Sequence, residues 1–100
     1  MPMLLLPAAV TALEARATRR LLLQALKGEA PGEVVLDAAN VQHFDSALLA
    51  VLLACRRAAE AGGQRVVLRH APPKLAALAQ LYGVEWLVPP PASAAQPAPA

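Results

Sequence analysis

The residues of this chain that could do acid–base or covalent chemistry are few: His43, Asp45 and Ser46 within four positions, Asp37 shortly before them, then Cys55 and His70. Serine, histidine and aspartate together suggest nucleophilic catalysis, in which a carboxylate orients an imidazole that draws the proton from a hydroxyl. Such a relay takes its members from separated elements, because near neighbours on one segment cannot readily line up their side chains. His70 stands beside the proline turn Ala71-Pro72-Pro73, and neither histidine has a second ligand or base at metal or triad spacing. Asp37 and Asp45 flank a strand-to-helix link, where carboxylates usually cap and turn the backbone. No P-loop, paired-glycine dinucleotide motif or zinc spacing occurs in the sequence. The residues therefore predict a protein that is not an enzyme and uses no cofactor and no metal.

Ser46 suits a different role. Val34-Val35-Leu36-Asp37 is a β-branched run of strand character, whereas the apolar residues that follow Phe44-Asp45-Ser46 continue too long for another strand. Asp45 and Ser46 then fall at a helix N-terminus, where unpaired backbone N–H groups need side-chain acceptors and the helix dipole favours added negative charge. Ser46 is either a plain cap or a hydroxyl recognised by another protein. Along that helix Leu48, Val51, Leu52, Cys55 and Ala59 form a core stripe. Leu49 and Leu53 lie one turn apart on another side, in line with Arg56 and Glu60. An apolar pair bordered by charge beside a helix start is a candidate docking surface, made of Asp45, Ser46, Leu49, Leu53 and Arg56. The competing expectation is that the third helix or the chain ends cover the two leucines.

The elements that must position these groups follow from punctuation and periodicity. Residues 3–6 form a candidate first strand ended by Pro7, and Thr11 with Glu14 makes a capping box ahead of a helix over residues 12–27. Gly28 is expected as its left-handed stop, and Pro31-Gly32 turns the chain into the strand at 34–37. The second helix ends at Gly62-Gly63, a third strand runs Gln64–Arg69, and Pro72-Pro73 opens a third helix with Leu75, Leu78, Ala79 and Tyr82 on one stripe, stopped by Gly83. Residues 84–88 form a last short strand or pack as a turn. The fold class is α/β: a mostly parallel or mixed sheet of about four short strands with three helices. Residues 90–100, rich in proline and alanine, are expected to be a disordered tail.

In the first helix Val10, Ala17, Leu21, Leu22, Ala25 and Leu26 share an apolar face. Arg16, Arg19, Arg20, Gln24 and Lys27 fall on the opposite arc, interrupted only by Leu23. The ordinary meaning of such an arc is a solvated face; the alternatives are a surface for lipid headgroups or for an acidic protein. One hundred residues, 57% of them hydrophobic, suffice for one core. A net charge of +2, with one Tyr, one Trp and one Phe, argues against nucleic-acid binding. The single cysteine, Cys55, allows no internal disulfide and suits a reducing compartment. The longest uncharged runs fall short of the roughly 20 residues a spanning helix needs, and prolines with no preceding cation argue against a signal peptide. A cytoplasmic protein without direct membrane insertion is expected.

Three segments together resemble a known family. Val34-Val35-Leu36-Asp37 as central strand, Phe44-Asp45-Ser46-Ala47-Leu48 before a Leu-rich helix, and Leu78-Ala79-Gln80-Leu81-Tyr82-Gly83-Val84 are similar to STAS domains, and the last segment is similar to the MlaB-type STAS subunit of the Mla phospholipid ABC transporter. The likeness covers about residues 3–89 as one STAS-like domain. It implies a cytoplasmic accessory subunit that supports the transporter's ATPase, an MlaF-like partner, and through it lies at the inner membrane beside the permease, helping to maintain outer-membrane lipid asymmetry. The alternative it implies is an anti-sigma factor antagonist switched by phosphorylation of Ser46. Asp45 matches the acidic residue of the family signature and Ser46 the hydroxyl residue after it. Ala47 and Leu48 depart from the small polar residue and the glycine usual there, which implies less room for a kinase or partner backbone. Set against that resemblance, the chain is expected to lack the extra N-terminal strand of longer STAS domains.

Overall fold

The computed structural model describes residues 3–88, so the expected disorder of residues 90–100 lies outside the described residues. The order of elements is β1 (Met3–Leu5), β2 (Ala9–Val10), α1 (Ala15–Lys27), β3 (Gly32–Asp37), β4 (His43–Phe44), α2 (Ser46–Ala61), β5 (Gln64–Arg69) and α3 (Pro73–Leu81), followed by a 3-10 turn at Glu85–Leu87. The α/β class and the three helices agree with the sequence. The strands divide into a parallel sheet of β1, β3 and β5 with β3 central, and a separate parallel pair, β2 with β4.

The central strand, flanked by β1 and β5, is the most buried: Val34, Val35, Leu36 and Asp37 are all buried, as is Ala38 just after it. Register aligns Leu4, Leu36 and Leu68 in one row, and these pack into the core with Leu22 and Leu26 of α1, Leu48, Leu52 and Cys55 of α2, and Leu75 and Ala79 of α3. The neighbouring row, Met3, Val35 and Val67, points to the opposite face. The helices thus cover one face of the sheet, and Met3 and Leu5 remain exposed on the other.

Several local expectations change. Helix α1 begins at Ala15 rather than at residue 12, because Ala12 to Glu14 form a turn closed by the Ala15 N–H donating to the Thr11 carbonyl. Only the carboxylate half of the expected capping box forms: Glu14 Oε1 accepts from the Thr11 N–H at 2.8 Å and from its hydroxyl at 2.6 Å, while the Glu14 N–H donates to the Thr11 carbonyl and Thr11 Oγ1 accepts from the Leu13 N–H at 3.2 Å, before the helix begins. Val10 belongs to β2, fully buried, and not to the apolar face of the helix. On α1 the buried positions are Thr18, Leu22 and Leu26, while Leu21 and Ala17 are exposed. Gly28 is right-handed, with φ −83°, and the positive φ needed to enter β3 falls instead on Gly32, at +129°. Residues 84–88 form a turn, not a strand. The Leu26 carbonyl at the end of α1 and the Glu29 carbonyl just past it find a donor far along the chain, since the buried Gln64 amide nitrogen reaches them at 2.8 Å and 3.0 Å.

Candidate partner-docking site

The start of α2 is built by Asp45. Its extended backbone (φ −138°, ψ −165°) ends β4, and its carboxylate takes the N-cap role: Oδ1 accepts from the Ala47 N–H at 2.8 Å. The other oxygen, Oδ2, accepts from the Ala12 N–H at 3.2 Å, 33 positions away. One side chain therefore ties the turn before α1 to the start of α2. Both carboxylate oxygens are engaged within the chain, so Asp45 positions the site. Ser46, freed from capping, is exposed as the first residue of α2, and its hydroxyl makes no hydrogen bond among the described residues.

Around that hydroxyl lies an open groove of about 680 Å³ lined by Thr11, His43, Asp45, Ser46, Lys74, Leu78 and Tyr82, with Gln42 and Phe44 completing it. Its far wall is α3. Tyr82 keeps 58% and the adjacent Leu81 78% of their surface in solvent, although Tyr82 was expected on the buried stripe of that helix. The sequence did not single out Lys74, Leu78 or Tyr82 as site residues, and weighed His43 only for catalysis. Nothing local joins residues 43–46 to residues 74–82; only the wrap of α2 and α3 over the same sheet face brings them together.

The other expected docking residues lie elsewhere. Leu49 retains only 6% of its surface and belongs to the core, so the expectation that it faces a partner is corrected. Residue 49 lies only about 60° round the helix from the buried Leu52 and about 100° from the buried Leu48, which keeps it on the inward side. Leu53 is half-buried and packs against the same core. Arg56 is held on another part of the surface: its guanidinium lies 4.7 Å over the Trp86 ring and its Nε pairs with Glu60 at 3.2 Å. It is about 15 Å from Ser46 along the helix and lines a different groove, with β5. Of the five expected residues, the structure brings Asp45 and Ser46 to one site and leaves Leu49, Leu53 and Arg56 outside it. The steric objection raised by Leu48 also falls, because that side chain is fully buried and leaves the approach to Ser46 open.

The remaining titratable groups serve local structure. Asp37 Oδ1 accepts from the Ala39 N–H at 2.9 Å and meets His70 Nδ1 at 3.0 Å. The Ala39 bond first, and the His70 bond second, hold the Asp37 carboxyl below its ordinary range. Glu14 is likewise lowered, chiefly by the Thr11 hydroxyl and then by the Thr11 N–H. Burial pushes the Cys55 thiol up to about 11, so it is neutral and shielded. No helix among the described residues is long and apolar enough to cross a membrane.

Compared with known proteins, residues 2–89 match the family model described as "Mlab, STAS domain". No curated protein matches the chain. The match spans β1 to the final 3-10 turn and includes every residue of the groove. With a parallel β1-β3-β5 sheet covered by three helices on one face, and an acidic cap followed by an exposed serine at the start of α2, this chain belongs to the STAS domain family, in its MlaB-type branch.

Proposed function

We propose that this chain is a non-catalytic accessory subunit that docks, through the groove around Ser46, on the ATPase of a Mla-type phospholipid ABC transporter and so serves the maintenance of outer-membrane lipid asymmetry. The observation that carries this reading is the unpaired, exposed Ser46 hydroxyl facing Lys74 and Tyr82 across an open groove in an MlaB-type domain. Tyr82 and Leu81 offer exposed apolar surface, Lys74 a cation and Ser46 a hydrogen-bonding group, the mixture typical of a protein contact. Docking alone is enough for regulation: a subunit that binds the assembled form of an ATPase more tightly than the separated form shifts the population toward it, with no chemistry of its own. In this reading the chain works in the cytoplasm at the inner membrane, reaching the permease only through the ATPase.

A second reading, an anti-sigma factor antagonist, draws on the accessibility of Ser46 and on the buried Leu48, which leaves a kinase room to approach. A phosphate there would add about 1.5–2 negative charges beside a helix N-terminus. Co-purification of the tagged chain from its own cells separates the two. The transporter reading expects an ABC ATPase in the eluate, and its loss with Ser46→Glu and with Tyr82→Asp. Recovery of a kinase-like partner together with a phosphate mass on Ser46 would replace it.

A further inference from the structure

The outward face of α1 is the most strongly charged surface that the docking groove does not use. Between Ala15 and Lys27 the helix carries Arg16, Arg19, Arg20 and Lys27 and no acidic residue, and all four cations are exposed. None of them forms an ion pair among the described residues, where Arg56–Glu60 and Asp37–His70 are the pairs made. The opposite side of the helix, Thr18, Leu22 and Leu26, is buried in the domain. The axis of α1 is therefore held along the protein surface, with about 20 Å of cationic face turned outward.

Apolar side chains stand among these cations. Leu13, in the helix-like turn before α1, is 90% exposed, and Leu23 is half-buried between the cations, in the shallow groove they line. At helical spacing Leu13, Arg16, Arg20, Leu23 and Lys27 fall within about 80° of arc, with Arg19 at its edge and Leu21 turned away from it. A protein partner would need a hollow matched to the protruding Leu13 and to each cation. The headgroup layer of a membrane does not: it is a fluid sheet of phosphates that accepts cations at any spacing and lets short apolar side chains dip below them. Nucleic acid is disfavoured because the face carries no aromatic residue on which a base could stack.

We propose that the α1 face is a peripheral contact for anionic phospholipid headgroups, made by Arg16, Arg19, Arg20 and Lys27 with Leu13 entering the headgroup layer. The contact lies flat and spans nothing, and it stands independently of the groove at Ser46.

Flotation of the full chain with phosphatidylcholine vesicles, with and without phosphatidylglycerol, tests it. The protein is expected to float with phosphatidylglycerol vesicles at low ionic strength, to remain behind with phosphatidylcholine alone, and to be released by added salt. Each cation near an anionic surface strengthens partition by about fivefold, so Arg16→Glu with Arg20→Glu should reduce it by more than about 25-fold. Arg57→Glu with Arg65→Glu, which makes the same charge change on α2 and β5, should reduce it far less. Thermal melts of each variant separate lost binding from lost folding. No flotation with anionic vesicles, equal loss from both pairs of substitutions in folded protein, or binding to polyglutamate without binding to vesicles would each overturn the proposal.

Discussion

Asp45 and Ser46 are neighbours with opposite duties, and the difference is measurable. Asp45 satisfies one N–H at the start of α2 and one before α1, so Asp45→Ala should cost about 1–2 kcal/mol of stability, seen as a lower urea midpoint. Ser46→Ala removes an exposed hydroxyl that holds nothing within the chain and should change stability by less than about 0.5 kcal/mol while weakening partner binding. Equal destabilisation by the two would mean that Ser46 is a structural cap. Cys55 supplies a third residue-scale test. With its thiol buried and its pKa raised to about 11, it should resist thiol reagents in the folded chain and react at the rate of global opening.

Elements explain why the leucine pair on α2 is not a docking surface. Leu49→Ala should cost about 2–4 kcal/mol and Leu49→Asp should prevent folding, so loss of a partner with either substitution would report a damaged core. Gln64→Leu tests the link between α1 and β5: it leaves the carbonyls of Leu26 and Glu29 without their donor and should lower stability by about 1–3 kcal/mol in a chemical melt. The three-helix α/β plan, strand β5, the Glu14–Thr11 contact and the Asp45 cap were legible in the sequence, because each rests on local spacing or on a neighbouring backbone group. The pair β2–β4 was not, since two-residue strands carry no periodicity and exist only because Ala9 and Val10 meet His43 and Phe44. The far wall of the groove was equally hidden. Tyr82 and Leu78 share a helical stripe with Leu75, but α3 ends at Leu81, and Tyr82, the residue that follows its last turn, stays in solvent.

At the scale of the molecule, one core under one face of a sheet holds together a site assembled from the starts of two helices and the end of a third. Acid should loosen it. Glu14 and Asp37 have folded pKa values below their ordinary ones, so their stabilising contribution is complete above the unfolded carboxylate pKa of about 4 and disappears as pH falls through the lower folded values. Urea midpoints should be flat from neutral pH down to about pH 5 and then drop, and Asp37→Asn with Glu14→Gln should flatten that acid limb. The central claim, that the groove at Ser46 grips another protein, is tested most directly by titrating the purified ABC ATPase of the same cells into the wild-type chain and its Ser46→Glu and Arg65→Glu variants by calorimetry. The account predicts saturable binding to the wild type and to Arg65→Glu, and loss of at least tenfold in affinity with Ser46→Glu, about 1.4 kcal/mol. Wild-type affinity retained by a folded Ser46→Glu variant would contradict it.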